Sequence, residues 1–285
     1  MFSSFPPKAQ DALRQLIGMA LEEDGRDLTS LAVFSPQDTL HALLVAKSPC
    51  VIAGMPLIEI VLDAAGGNCT SRPLVGDGDH VPSETTLAQI HGSAHTILKA
   101  ERVILNFLCH LCGVATLTRA FVDAVAGTGV CILDTRKTIP GMRYLEKYAV
   151  RMGGGTNHRI DLESMLMLKD NHIDRAGSIT AAVLALRQAY QPCPPLEIEC
   201  RTLEHVDEAL ALAPQRILLD NMDTSSLKKA LACIGGRVET EVSGNVTLQT
   251  VRKIAELGPD FISVGALTHS APAADLSLRI QGDAR

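Results

Sequence analysis

The sequence offers very few aromatic residues from which to build a core. Phe, Trp and Tyr make up 3% of its 285 residues, and tryptophan is absent. Apolar residues still account for 46% of the chain, which is enough for a sizeable hydrophobic core. That core must be built from Leu, Val, Ile and Ala, as in buried parallel sheets that are covered by helices. The composition therefore predicts an α/β protein of one or two domains.

Excess positive charge and long apolar runs are also missing. The formal net charge is −6 at pH 7, whereas a nucleic-acid-binding protein needs a basic face that displaces counterions. No stretch reaches the roughly 18 uncharged apolar residues that a membrane helix needs. Residues 1–7 lack the charged-then-apolar order of a signal peptide. We therefore expect a cytoplasmic protein with no nucleic-acid and no membrane partner.

The sequence lacks the second cysteine pair that would complete a zinc site. Cys109 and Cys112 form a Cys-x-x-Cys pair, but the pair stands alone within a long helical pattern. Other cysteines lie inside apolar segments, as Cys131, Cys200 and Cys233 do. The favoured interpretation is core packing by buried thiols that stay reduced in a cytosol-like compartment.

The first part of the chain mixes helical and β-prone patterns. Residues 13–21 carry apolar side chains at the spacing of one buried helical face. Short β-prone runs follow at residues 40–46 and 50–53, and Gly76-Asp77-Gly78-Asp79 is a strong turn signal. These patterns predict a small antiparallel sheet with helices.

A long helix is predicted to end this region. It covers residues 94–112, with Arg102 and Asn106 together on its polar edge. The chain changes character near Gly113, where we expect the domain boundary.

After Gly129 the sequence alternates short apolar strands with amphipathic helices. No G-x-G-x-x-G or Walker A loop follows any strand, which weakens an open doubly wound sheet as the alternative. Strand–helix alternation predicts parallel strands with crossover helices, and six or seven units suit a closed or nearly closed βα barrel. A seventh unit would lie near residues 156–159. The six predicted strands are residues 130–133, 165–168, 196–198, 216–219, 238–242 and 261–264.

Polar and charged residues follow the ends of these strands. In a βα barrel the strand ends meet at one face, where active sites lie. Any one of these residues alone would be a solvated loop residue, but charges at four successive strand ends point to a site. They are Asp134-Thr135-Arg136-Lys137, Lys169-Asp170-Asn171-His172, Glu199, Asp220-Asn221, Ser243-Gly244-Asn245 and Gly265.

The residue types indicate an anionic ligand. Between Arg136 and Arg175 there are eight Lys and Arg against five Asp and Glu, although the whole chain is acidic. Guanidinium groups bind carboxylates and phosphates bidentately, and lysine adds a point charge. Residues 243–247 precede a helix and Gly265 ends the next strand, a loop pairing that often holds phosphate in barrels.

Two carboxylates, Glu199 and Asp220, are one βα unit apart and can face the same pocket. Hard carboxylates beside a phosphate site are typical of Mg²⁺ coordination. An equally balanced alternative is a buried ion network in which they pair with Arg136 or Lys169.

Several motifs resemble quinolinate phosphoribosyltransferase, the decarboxylating nicotinate-nucleotide pyrophosphorylase family. The resemblance covers essentially the whole chain, in order and without large insertions. It rests on residues 133–141 (LDTRKTIPG), 153–159 (GGGTNHR), 168–172 (LKDNH), 241–245 (EVSGN), 261–267 (FISVGAL) and the helix at 101–116.

The resemblance implies a fold and a reaction. The fold is an N-terminal α/β sandwich domain (residues 1–113), an incomplete C-terminal βα barrel (114–270) and a segment (271–285) that returns to the N-terminal domain. This is the type II phosphoribosyltransferase fold. The implied reaction converts quinolinate and phosphoribosyl pyrophosphate to nicotinate mononucleotide, pyrophosphate and CO₂, with Mg²⁺, in de novo NAD biosynthesis.

The resemblance also implies roles for individual residues. Glu199 and Asp220 would hold Mg²⁺ and the ribose hydroxyls, and with Lys169 they form the expected catalytic set. Arg102 would reach into the site of a partner subunit, so a homodimer or a higher oligomer with shared sites is expected. The pocket for quinolinate and pyrophosphate would be lined by Arg136, Lys137, His158, Arg159 and Lys169, and the 5′-phosphate would be held by Ser243, Gly244, Gly265 and His269.

Rival functions remain for the same residues. Lys169 at a strand end could be the Schiff-base nucleophile of a lyase or aldolase. A non-enzymatic anion-binding accessory, such as the related molybdate-transport protein, would also use a similar barrel. Within the transferase interpretation, the proton that replaces the departing carboxylate comes either from Lys169 or from water.

Overall fold

The computed structural model describes residues 5–281. Residues 1–4 of the predicted N-terminal domain and 282–285 of the predicted C-terminal segment lie outside the described residues. The described chain forms two compact units. The first comprises residues 5–119, 138–154 and 267–281, and the second comprises residues 120–137 and 155–266.

The helices and strands follow one another in the order of a small α+β layer and then a βα repeat. Up to residue 124 they are α1 Pro7–Glu23, α2 Leu28–Val33, β1 Thr39–Ala46, β2 Cys50–Val51, α3 Leu57–Ala65, β3 Cys69–Pro73, β4 His80–Val81, β5 Thr85–Ser93 and α4 Ala94–Ala124. After it they are β6 Cys131–Leu133, α5 Arg143–Met152, β7 Leu166–Leu168, α6 Asp170–Ala176, α7 Ile179–Ala189, β8 Leu196–Cys200, α8 Leu203–Ala211, β9 Arg216–Asp220, α9 Thr224–Ile234, β10 Glu239–Ser243, α10 Val251–Ala255, β11 Phe261–Ser263, α11 Ala266–His269 and β12 Leu276–Gln281.

The first unit is built around a four-stranded antiparallel sheet in the order β12-β1-β5-β3. Helix α1 buries Ala9, Leu13, Ile17 and Leu21, which recur every four residues and so lie on one face of the helix. Strand β12 adds the C-terminal segment to the edge of the sheet through six paired residues.

Gly92 is placed in β5 where no larger residue fits. Its φ is +151°, and a Cβ atom would stand 2.3 Å from the Asn68 carbonyl oxygen and 2.6 Å from the Cys69 Cα. Both neighbours are backbone atoms and cannot move aside as a side chain would. We expect Gly92→Ala to lower the free energy of unfolding by roughly 2–4 kcal/mol, measured by urea denaturation. The matched control is Gly18→Ala, inside α1, where a Cβ meets nothing within 4 Å. There alanine should stabilise by roughly 0.5–1 kcal/mol, and equal effects at both positions would contradict the packing around Gly92.

The second unit contains a six-stranded, fully parallel sheet in the order β6-β11-β10-β9-β8-β7. Strands β6 and β7 stand at its two edges, so the barrel is incomplete. The predicted seventh unit near residues 156–159 is a single bridge between Leu133 and Thr156. The predicted fold class, an N-terminal α/β sandwich and an incomplete βα barrel, is confirmed.

Short polar residues begin the helices that follow the barrel strands. The side chains of Ser178, Thr202 and Asp223 accept hydrogen bonds from the amides three residues on, which starts α7, α8 and α9. Thr247 also has a residue type suited to such a cap, but α10 begins only at Val251, after Thr250, whose side chain makes no capping hydrogen bond. The Thr250 hydroxyl instead accepts from the Thr247 amide at 3.0 Å, which holds residues 247–250 in a turn.

Helix α4 differs from its prediction in length. It runs through Gly113 to Ala124 instead of ending at residue 112. The glycine serves a close approach, because a Cβ at Gly113 would stand 2.1 Å from the Pro272 carbonyl oxygen. By length and composition α4 could cross a membrane, but 61% of its most apolar window is buried in the fold, as in the core helix of a folded domain.

The division into units departs from the predicted boundaries at residues 138–154, which belong to the first unit rather than to the barrel. Helix α5 is anchored there because the Tyr148 hydroxyl donates a 2.6 Å hydrogen bond to Asp77. Gly153 packs so tightly on α4 that a Cβ would meet the Ala115 carbonyl oxygen at 2.4 Å.

The prediction that cysteines are buried is wrong for Cys131 and Cys233, whereas Cys112 and Cys200 are buried. Cys233 lies off the buried stripe of α9, and its sulfur stands 3.1 Å from an Asp207 oxygen. An apolar run predicts a helix or a strand, but it does not show which of its residues are buried.

Candidate active site

A cavity of about 330 Å³ opens in the second unit at the carboxyl ends of the parallel strands. Side chains alternate along a strand, so residues two apart share a face. The last inward-facing residues of β8, β9 and β10 are Glu199, Asp220 and Ser243. Of the predicted site residues, the cavity brings together Arg136, Lys137, His158, Arg159, Lys169, Glu199, Asp220 and Ser243.

Four predicted residues do not line this cavity. Gly244 directly follows β10 and Gly265 lies two residues beyond β11, so both stay near the same strand ends. Arg102 and His269 belong to the first unit and are exposed there. Their roles stay predictions.

Two arginines that line the cavity, Arg136 and Arg159, are close enough for their positive charges to interact. Burial and the positive charge of Arg136 both lower the pKa of Arg159. Arg159 Nη1 donates a 2.9 Å hydrogen bond to the Met165 carbonyl oxygen. Arg136 Nε is buried and has no hydrogen-bond partner among the described residues. A pair of cations with an unused buried donor is suited to an anion that supplies the missing acceptors.

The two carboxylates proposed for Mg²⁺ already have cationic neighbours. The Glu199 oxygens stand 3.1 Å from Lys169 Nζ and 3.3 Å from Arg201 Nη2. Asp220 is less engaged, since its nearest cationic atom is Arg201 Nε at 3.8 Å. The carboxylate oxygens suit Mg²⁺, and the half-exposed Lys169 and Arg201 can turn away to admit it. Sequence reasoning offered metal binding and ion pairing as alternatives, and the structure contains the ion pair. It missed Arg201, which directly follows β8.

The loop after β10 is tied to the loop after β9. Asn245 Nδ2 donates to Asn221 Oδ1 at 3.2 Å, and the Asn221 amide donates to the Ser243 carbonyl at 3.0 Å. Gly244 has φ +104°, and a Cβ there would stand 2.3 Å from Asn221 Oδ1. Glycine suits this position because the backbone is left-handed there and a Cβ would crowd Asn221.

Asp134 fixes the segment that carries His158. Its carboxylate is fully buried, and it accepts hydrogen bonds from Asn157 Nδ2 at 2.6 Å and from the His158 amide at 2.9 Å. Asp134 is thus a positioning residue rather than a pocket charge.

Sequence reasoning missed a buried charge cluster at the inner end of the cavity. His158 Nε2 stands 3.0 Å from Glu197 and 3.4 Å from Glu241, and Arg216 Nη1 stands 2.9 Å from Glu241. Glu197 and Glu241 lie inside strands rather than at their carboxyl ends, and Arg216 is the first residue of β9. The signal that could have revealed them is the alternation Leu-Glu-Ile-Glu-Cys in β8, which places Glu197 on the same face as Glu199.

The cluster retains protons that isolated groups would lose. Burial alone would lower the pKa of His158, but Glu197 and Glu241 together raise it to about 9. Burial also raises the pKa of Glu197, whereas contacts with His158 and Arg216 outweigh burial at Glu241 and lower its pKa. The Arg159 amide donates to His158 Nδ1 at 2.8 Å, which leaves Nε2 as the ring nitrogen that faces the two carboxylates.

The geometry defines a class of protein: a βα-barrel protein whose strand-end cavity gathers cationic side chains suited to an anionic ligand. Two protein-family models match the chain. "Quinolinate phosphoribosyl transferase, N-terminal domain" matches residues 27–112, and "Quinolinate phosphoribosyl transferase, C-terminal domain" matches residues 114–279. The chain belongs to the quinolinate phosphoribosyltransferase family.

Curated relatives and solved structures agree with this membership. The chain is 42% identical to nicotinate-nucleotide pyrophosphorylase [carboxylating] of Mycobacterium leprae, over 94% of the chain and 97% of the relative. It is also 42% identical to the chloroplastic enzyme of that name from Arabidopsis thaliana, over 94% of the chain and 82% of the relative. The crystal structure of nicotinate-nucleotide pyrophosphorylase from Ehrlichia chaffeensis superposes with a TM-score of 0.89 at 38% identity, covering 94% of this chain and 98% of that one.

Proposed function

We propose that the chain transfers the phosphoribosyl group of phosphoribosyl pyrophosphate to quinolinate, with decarboxylation, as a step of de novo NAD biosynthesis. Family membership supports this function. The observation that carries it at the site is the gathering of Arg136, Lys137, Arg159 and Lys169 around one strand-end cavity that also holds Glu199 and Asp220. Both substrates are polyanions, and such a cavity offers them fixed cations.

The first step joins the quinolinate nitrogen to the ribose. The ring nitrogen attacks C1 of the ribose, and the bond from C1 to pyrophosphate breaks as positive charge develops on the sugar. Arg159 and Arg136 hold the carboxylates of quinolinate, and Lys137 and Lys169 face the leaving pyrophosphate. Asp220 or Glu199 offsets the developing positive charge. These groups act by placement and by neutralisation of charge.

The second step releases CO₂. Alkylation makes the ring nitrogen cationic, so the bond from C2 to its carboxylate can break and leave its electron pair beside that positive charge. A proton from Lys169 or from water then fills the C2 position. The ammonium of Lys169 is half-exposed in the same cavity, so it can reach the C2 position as a proton donor.

The proposal is tested by assaying release of pyrophosphate and CO₂ with quinolinate and, separately, with nicotinate. We expect both products with quinolinate and neither with nicotinate, which has no C2 carboxylate for the cations to hold. Equal turnover of nicotinate would overturn the assignment of quinolinate as substrate.

We further propose that Glu199 and Asp220 bind Mg²⁺ together with the substrate. The ion would supply charge neutralisation on the pyrophosphate oxygens. Activity is expected to disappear in excess chelator and to return with Mg²⁺ or Mn²⁺, because the leaving group is a polyanion. Full turnover in excess chelator would contradict the metal role of the two carboxylates.

The working unit is proposed to be a homodimer or a higher homo-oligomer in the cytoplasm. Arg102 is exposed on α4 in the first unit, as a residue offered to a second subunit would be. At the sheet edge, β7 borders an apolar cavity of about 520 Å³, and the nearby Leu162 is 63% exposed. A partner subunit that covers this edge would bury both the apolar surface and the unpaired side of the sheet.

The rival functions fit the site less well. A Schiff-base enzyme needs Lys169 as a nucleophile, but its ammonium is ion-paired with Glu199. Borohydride reduction with substrate would leave an adduct on Lys169 in that case and none in ours. A binding accessory would not need Glu199, Asp220 and Arg159 together, and all three line the cavity.

A further inference from the structure

The inner end of the active-site cavity contains two buried carboxylates, which is unexpected in a site for anions. Glu197 is fully buried and Glu241 is 1% exposed. Glu197 precedes Glu199 by two residues on β8 and Glu241 precedes Ser243 by two on β10, so both lie one step deeper on the cavity face of the barrel. Uncompensated, their negative charges would repel any anion bound above them.

Arg216 is the cation that opposes this charge. It lies four residues before Asp220 on β9, and its side chain is 14% exposed. Nη1 stands 2.9 Å from Glu241, Nη2 stands 3.1 Å from Glu239, and the guanidinium lies 4.0 Å from the centroid of the Phe261 ring. Two ion pairs and a stacked ring hold the guanidinium in place.

Arg216 therefore places a positive charge directly against Glu241, which itself lines the cavity. The other lining residues near this end, Arg136 and Arg159, are positive as well. Glu239, the second ion-pair partner of Arg216, is 40% exposed, so solvent screens its charge.

We propose that Arg216 sets the affinity of the cavity for anionic substrates by neutralising the carboxylates at its inner end, without touching substrate. The identity of the anion rests on the proposed function, but the effect of charge does not. At the effective dielectric constant of partly buried sites, removing this positive charge should weaken binding of a dianion on the order of tenfold or more.

The experiment compares three variants by calorimetric titration with quinolinate, nicotinate and inorganic pyrophosphate. Arg216→Met removes the charge, and Arg216→Lys keeps the charge but loses the forked contacts. The double variant Arg216→Met/Glu241→Gln removes one positive and one negative charge and so keeps the net charge of the wild type. The control is Arg252→Met, an exposed arginine of α10 that pairs with Glu256.

We expect Arg216→Met to raise the Kd of quinolinate and pyrophosphate tenfold or more, and that of the singly charged nicotinate by roughly the square root of this factor. Arg216→Lys, the double variant and Arg252→Met should stay within about threefold of wild type. A purely structural role would weaken all three ligands alike in all Arg216 variants, and that result would overturn the proposal, as would unchanged binding by Arg216→Met.

The test remains decisive if Arg216→Met does not fold. Arg216→Lys and the double variant both keep the net charge of the wild type, so a tenfold loss of pyrophosphate binding in either would overturn the proposal. If wild-type protein binds pyrophosphate but not quinolinate, quinolinate is not the substrate. The effect of the Arg216 charge is then decided by the pyrophosphate titrations of the same variants.

Discussion

Mixing two inactive variants, Arg102→Ala and Lys169→Ala, is expected to restore activity when the subunits can exchange. Each variant lacks one residue of the proposed shared site, and a heterodimer has one site with both wild-type residues. Random exchange gives half heterodimers with one intact site each, so about a quarter of wild-type activity should return. The measurement is the initial rate before and after exchange, with exchange followed by mass spectrometry of tagged subunits.

The control for this recovery is the double variant Arg102→Ala/Lys169→Ala, mixed with each single variant. Neither mixture contains an intact site, so both should stay inactive. If exchange is complete and the mixture of single variants also stays inactive, Arg102 acts within its own chain and the shared-site proposal is wrong. If Arg102 had no such role, substituting this exposed arginine would leave activity and stability almost unchanged.

Arg159→Ala is expected to weaken quinolinate far more than phosphoribosyl pyrophosphate. The guanidinium is half-buried beside Arg136, and loss of a desolvated carboxylate contact costs about 2–5 kcal/mol. The KM of quinolinate should therefore rise by a factor of about thirty or more, while that of phosphoribosyl pyrophosphate changes little.

The matched control is Arg252→Ala, which removes an exposed arginine of the same unit and an ion pair of little energetic value. It should leave both KM values unchanged. Equal weakening of both substrates by Arg159→Ala would mean that Arg159 contacts a different ligand from the one assigned.

The sequence predicted the barrel face of the site well because parallel strands dictate where their ends meet. Asp220 and Ser243 are the last residues of β9 and β10, and Lys169 directly follows β7. Apolar runs located these strands to within one or two residues, and the polar residues after them marked the cavity. Motif resemblance then supplied the substrates, which spacing alone could not.

The parts that sequence reasoning missed depend on contacts between distant segments. Gly113 resembles a helix end in the local sequence, but it lies inside α4, and its close approach to Pro272 explains why a glycine stands there. Arg216 was treated only as the start of a strand, although its guanidinium stands 2.9 Å from Glu241 in the next strand. Buried ion pairs between strands leave only a weak signal in the sequence, which is a charged residue at every second position of a strand.

The start of α10, after β10, could not be predicted from residue types either. Thr247 has the residue type of a helix cap, but its neighbour Thr250 supplies a hydroxyl that makes a turn first. Both threonines suit a helix start, so residue type alone does not show which of them directly precedes α10.

The central claim is that one cavity joins quinolinate to phosphoribose and then removes one specific carboxylate. The most direct measurement uses quinolinate labelled with ¹³C in either the C2 or the C3 carboxylate, with phosphoribosyl pyrophosphate and Mg²⁺. Labelled CO₂ should appear only from the C2-labelled substrate, in a one-to-one ratio with pyrophosphate, and the C3 label should remain in nicotinate mononucleotide. Release of pyrophosphate without CO₂, or labelled CO₂ from the C3 position, would contradict this account.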